Sequence, residues 1–185
     1  MFIERSEINP LERVTGAFPV ITTDHAFIHE GIAFTAANKI DITSAKVALI
    51  QITPPAGAYC HFKPAAFSCT GGPVYISLLE DYSFVGGSAI TPQNRKRTGT
   101  PAASAITVKG IADGTAVAGT APLSLDMVVL SGTSSGAKLG SSSQAAEEWV
   151  LKPGVNYLIA ITNATSPGAT ITVGYELFWY EETGT

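Results

Sequence analysis

The sequence predicts an all-β fold, an antiparallel β-sandwich with an extended N-terminal arm, and a jelly roll is its first topology. Three observations predict it. Apolar residues alternate with polar ones at period two through most of the chain beyond residue 30, and no segment carries a helical period. Turn residues, mostly Gly and Pro, separate runs short enough to be single strands. Several connections are too long for hairpins, which favours Greek-key topology over a simple meander of strands. An immunoglobulin-like sandwich comes second, because the Cys–Trp–Cys spacing that would support it is absent.

In chain order, residues 1–30 read as the arm. Three glutamates and two arginines fall in the first thirteen residues, and Pro10 and Pro19 interrupt any long helix. The sandwich domain then occupies residues 31–185. Its first strand is 31–35 and its second 46–52, ended by Pro54 and Pro55. Residues 58–69 form either one bent strand or a hairpin around Lys63 and Pro64. Residues 74–79 follow, with Val74, Ile76 and Leu78 on one face. From 80 to 103 the strand signal stops, and this long loop contains the basic triplet Arg95, Lys96, Arg97. Loops longer than about 15 residues in a compact domain are usually functional or disordered. Residues 104–109 form a strand with Ile106 and Val108 inward. Asp113-Gly114 and Gly119 mark turns, and 125–130 is a further strand. Residues 131–143, almost pure Ser, Gly and Thr, read as a surface loop.

The C-terminal part, 147–182, is the most legible. Val155, Tyr157, Ile159 and Ile161 share one face of a strand; Ile171, Val173, Tyr175, Leu177 and Trp179 share one face of the next. The other face of that last strand turns apolar at Phe178 and Tyr180. Pro153-Gly154 and Ser166-Pro167-Gly168 supply the turns, since proline presets φ and glycine accepts φ > 0. The expectation is a three-stranded antiparallel meander.

Charged residues make up only 14% of the chain, against roughly 25% in typical domains. Such a surface suits a protein that packs against others. The net charge of -4 gives no general attraction to nucleic acid. No apolar run approaches the ~20 residues of a membrane span, and the charged first residues do not read as a secretion signal. Two cysteines, Cys60 and Cys69, are too few for a disulfide scaffold and read as reduced thiols. On one continuous strand, nine positions apart, they would face opposite sides; across a hairpin turning at Pro64-Ala65 they would lie opposite each other.

No catalytic, cofactor or metal site is expected. The string Gly132-Thr-Ser134-Ser-Gly136 matches a nucleophile elbow. The elbow requires a following helix and a later histidine, whereas His25, His29 and His61 all come earlier. His25 and His29 are four apart, a helical spacing, but Ala26-Phe27-Ile28 between them is not a helix start. Zinc needs three or four ligands, so the pair reads as solvated. Asp41, Asp81, Asp113 and Asp126 are isolated and build no calcium loop. Asn163-Ala164-Thr165 matches a glycosylation sequon but reads as a turn. Arg95, Lys96 and Arg97 are the candidate partner-binding residues, because arginine forks match carboxylates on an acidic surface. Without a stacking aromatic nearby they make a poor nucleic-acid site. Phe2, Ile3, Ile8 and Leu11 in the arm are candidate apolar anchors on a neighbour.

The segment Glu148-Trp-Val-Leu-Lys-Pro-Gly-Val-Asn-Tyr-Leu-Ile-Ala-Ile-Thr-Asn163, the closing Glu176-Leu-Phe-Trp-Tyr-Glu181 and the loop Pro92-Gln-Asn-Arg-Lys-Arg97 together resemble tailed-bacteriophage virion proteins of the capsid decoration, or cement, type. The resemblance covers under a third of the chain. It implies a non-enzymatic structural protein with a jelly-roll-like fold, homo-oligomeric with a trimer as first choice. Its partner would be the major capsid protein or another virion component. It would be made in the bacterial cytoplasm and sit on the capsid surface. The alternative is a carbohydrate- or receptor-binding module of a tail fibre or spike, which would expose coplanar aromatics drawn from Trp149, Phe178 and Tyr180.

Overall fold

Alternation of apolar and polar residues gives each strand a face that must be covered, and two facing sheets cover it. The computed structural model describes residues 23–130, 148–165 and 168–183. A helix, α1 (Thr23–Glu30), is followed by eleven strands: β1 (Ala33–Ile42), β2 (Val47–Thr53), β3 (Ala58–Thr70), β4 (Val74–Ser83), β5 (Ser88–Ile90), β6 (Gln93–Asn94), β7 (Thr107–Ile111), β8 (Val117–Leu130), β9 (Trp149–Leu151), β10 (Tyr157–Asn163) and β11 (Ile171–Thr183). They form a five-stranded sheet ordered β6-β1-β11-β3-β9 and a six-stranded sheet ordered β5-β7-β2-β10-β4-β8, with every pairing antiparallel. The fold is an all-β sandwich, as the patterning predicts.

The core lies between the sheets. Tyr157, Ile159 and Ile161 from β10 meet Ile171, Val173, Tyr175, Leu177 and Trp179 from β11, all buried, and Val155 packs against them half-buried. This is the inward face read from the sequence. Each fully buried Leu, Ile or Val contributes about 1.5–3 kcal/mol. The opposite face of the six-stranded sheet has a smaller core of its own. Leu49 and Leu158 are covered there by Phe84, whose loop folds back over the sheet.

Four readings are corrected. The terminal strands are not a meander. β9 belongs to the five-stranded sheet, β10 to the six-stranded one and β11 to the five-stranded one again. The turns at Pro153-Gly154 and beyond Asn163 therefore cross between sheets. Period two fixes which residues face inward but not which sheet a strand joins. Residues 58–70 form one strand, the first of the two readings, and the correction concerns its faces: the register skips Ala65 between the pairs Ala66↔Glu176 and Pro64↔Leu177. That one-residue bulge reverses the alternation, so Cys60 and Cys69 both face the core, free and fully buried. Burial raises both thiol pKa values, with Glu181 adding to the effect at Cys60.

The third correction concerns turns and loops. Gly119 lies within β8, where a side chain would run into the Asp81 carboxylate that accepts the Ala121 N–H at 2.7 Å. β4 continues to Ser83, and the long loop carries the short strands β5 and β6. The fourth concerns the arm. Residues 23–30 are helical, and Gly31 ends the helix at φ +82°. The Gly31 N–H donates to the Ile28 and Phe27 carbonyls and the Ile32 N–H to Phe27, each at 3.1 Å, which is a Schellman closure. Phe27 stacks on Tyr180 with centroids 4.1 Å apart, so tertiary packing supplies what the helical period lacks. Phe2, Ile3, Ile8 and Leu11 lie outside the described residues, as does the Gly132–Gly136 string with Ser134.

Candidate functional site

The basic triplet leaves the edge of the five-stranded sheet. β6 pairs with β1 through Phe34↔Asn94 and Thr35↔Gln93, and the Arg95 N–H donates to the Ala33 carbonyl at 2.9 Å. Asn94 is buried and organises the turn. Its Nδ2 donates to the Gly31 carbonyl at 2.7 Å and the Ala102 carbonyl at 3.0 Å, while its Oδ1 accepts the Lys96 N–H at 2.8 Å. One side chain thus ties the end of α1, the basic turn and the far limb of the loop together.

A second clamp holds the loop's exit. Glu181 accepts hydrogen bonds from the Ser104 hydroxyl, from the Ala105 N–H at 2.9 Å and from Trp179 Nε1 at 3.0 Å. The long loop is therefore pinned at both limbs. Asn163 repeats the Asn94 device elsewhere. Its Nδ2 donates to the carbonyls of Ile42 and Ala169, and its Oδ1 accepts from the Thr165 N–H and hydroxyl. With its amide engaged and the residue buried, the sequon serves as a turn.

The three cations differ in setting. The Arg95 guanidinium lies over the Phe178 ring, 4.9 Å from its centroid, and covers that outward-facing aromatic. Lys96 is half-buried and, with Glu30, Thr98 and Thr100, walls an open polar cleft of about 450 Å³. Arg97 is exposed. Among the described residues, no carboxylate pairs with any of the three. Buried hydrogen bonds thus hold a turn whose cations have no carboxylate within ion-pair distance among the described residues.

Beside this turn lies a cluster that the sequence reading missed. Tyr180, His61 and Val150 are cross-strand neighbours on β11, β3 and β9. The His61 ring stacks on Tyr180 at 4.3 Å. Glu148 joins them: its Oε1 lies 2.6 Å from His61 Nδ1 and accepts the Tyr180 hydroxyl at 2.5 Å, and its Oε2 is 3.4 Å from Lys63 Nζ. Partial burial alone would raise the Glu148 pKa, but hydrogen bonds from Tyr180, His61 and Lys63 outweigh it and hold the carboxyl below its usual range. Tyr59 and Val150 flank the cluster exposed. The outward position of Tyr180 is legible from alternation; its meeting with residues 61 and 148 depends on long-range pairing that no local pattern encodes.

A sugar platform does not form from the named aromatics. Trp149 is half-buried against the core, Phe178 lies under Arg95 and Tyr180 under Phe27. Compared with family models, curated proteins and solved structures, the chain matches none.

Proposed function

We propose that this chain is a non-enzymatic structural protein of a tailed-phage virion, a decoration protein that adheres to the repeating capsid lattice as a homo-oligomer. The observation that carries the reading is the basic turn: Arg95, Lys96 and Arg97 have no carboxylate partner among the described residues and stand on a turn fixed by buried Asn94. Rigid placement lowers the entropy cost of docking, and paired arginine forks suit an acidic protein surface. The strand order supports the fold part of the reading. Consecutive strands β1 to β4 and β8 to β11 alternate between the two sheets, as a jelly roll requires, with β5, β6 and β7 as an insertion that brings the basic turn to a sheet edge.

Charge reversal tests it. Arg95→Glu with Arg97→Glu should leave the melting temperature within a few degrees of wild type. The variant should cosediment with capsids at least about tenfold more weakly, since each lost charged hydrogen bond removes about 1.5–3 kcal/mol. Wild-type binding should also weaken with salt. Unchanged cosedimentation of the double variant would remove the basic turn from the interface.

A further inference from the structure

We propose that His25 and His29 on α1 form a two-histidine clamp for one divalent transition-metal ion bound in cis positions of an octahedral or square-planar shell. Four residues apart on a helix, the side chains lie one turn apart on the same side, and both are exposed. Their ring centroids are 4.6 Å apart but their Nε2 atoms only 2.7 Å, so each ring turns its Nε2 corner toward the other. At that distance both nitrogens cannot carry hydrogen. At least one of the two nitrogen lone pairs is therefore bare. An ion that prefers imidazole can be held by the two converging nitrogens.

The spacing selects the ion. Nitrogens 2.7 Å apart subtend about 80–85° at an ion about 2.0–2.1 Å from each, close to the right angle of cis ligands. A tetrahedral shell would need the nitrogens about 3.3–3.4 Å apart at the same bond lengths. The geometry therefore favours Cu(II) and Ni(II) over tetrahedral Zn(II). No group of three or more His, Cys, Asp or Glu is placed to hold an ion among the described residues, so water fills the remaining positions. The clamp is also preorganised. Phe27, between the two histidines, is stacked on Tyr180, and Gly31 closes the helix immediately after it. An ion bound to folded α1 stabilises that docked turn by mass action.

Calorimetric titration of the full chain with CuCl2, NiCl2 and ZnCl2 tests the clamp, with His25→Ala and His29→Ala as single variants. We expect one Cu(II) or Ni(II) per chain, Zn(II) bound more weakly, and binding that falls as pH is lowered. Each variant should lose at least the roughly tenfold in affinity that even an outer-shell partner costs. Bound Co(II) should show the weak visible absorption of a six-coordinate ion. Failure of wild type to bind Cu(II) or Ni(II), wild-type affinity in either variant, or strong tetrahedral Co(II) absorption would each overturn the assignment.

Discussion

Ile159 is one atom-for-atom case of what alternation reads correctly. It sits on β10 between β2 and β4, paired with Ile50 and Leu78, and is nearly fully buried. Truncation leaves a cavity that two flanking strands cannot close, so Ile159→Ala should cost about 2–5 kcal/mol. Thermal melting checks it; a Tm within a degree or two of wild type would contradict the face assignment. Glu148 illustrates what alternation cannot read. Its carboxylate is held by three partners, of which His61 is 87 residues away. With its folded pKa below the unfolded value near 4.3, it adds stability at pH above that value, and the contribution is lost as pH falls through the lower folded pKa. Glu148→Gln should therefore be less stable than wild type at neutral pH, with the gap shrinking below about pH 4. A gap that stays constant from pH 7 to 3 in denaturant melts would contradict the linkage. Glu80 behaves alike. A hydrogen bond from Lys152 chiefly lowers its pKa, and its other oxygen accepts the Tyr157 hydroxyl, whose own pKa burial pushes up to about 12.

Strands were legible as strands, and their partners were not. The last two alternating runs in the sequence are both real, yet they lie in opposite sheets because a turn of Asn and Gly can serve a hairpin or a crossing equally well. α1 was illegible for a different reason: its eight residues carry little amphipathic signal, and it is held by one aromatic stack and its Gly31 closure. The β3 bulge is the sharpest case. Strict period two assigns Cys60 and Cys69 to opposite faces, and a single unpaired residue, Ala65, places both in the core. Deleting Ala65 should remove the bulge and keep the register on both sides of it, Pro64 still opposite Leu177 and Ala66 opposite Glu176, so that Cys60 and Cys69, then eight positions apart, stay inward by plain alternation. Native-state labelling with a thiol reagent should therefore leave both cysteines protected in the deletion variant, as in wild type. A cysteine that becomes reactive in a variant that remains folded would contradict this account of the bulge.

At the scale of the whole molecule, the sandwich separates its tasks. The inner faces are apolar, and the outer face of the six-stranded sheet is partly sealed by Phe84. The outer face of the five-stranded sheet carries α1, Arg95 over Phe178 and the Glu148 cluster. Charge is scarce in the chain as a whole, at 14%, which makes three cations in one turn, with no carboxylate partner among the described residues, a local exception. The sequence alone pointed to that turn because the triplet is dense; that Asn94 and Glu181 fix its two limbs required the fold. The proposed function requires this turn to face a capsid lattice. A cryo-electron-microscopy reconstruction of capsids incubated with the purified protein tests it most directly. Sandwich density should repeat with the lattice, with residues 95–97 at the contact against acidic side chains. Bare capsids, or sandwiches attached with the basic turn facing solvent, would contradict it.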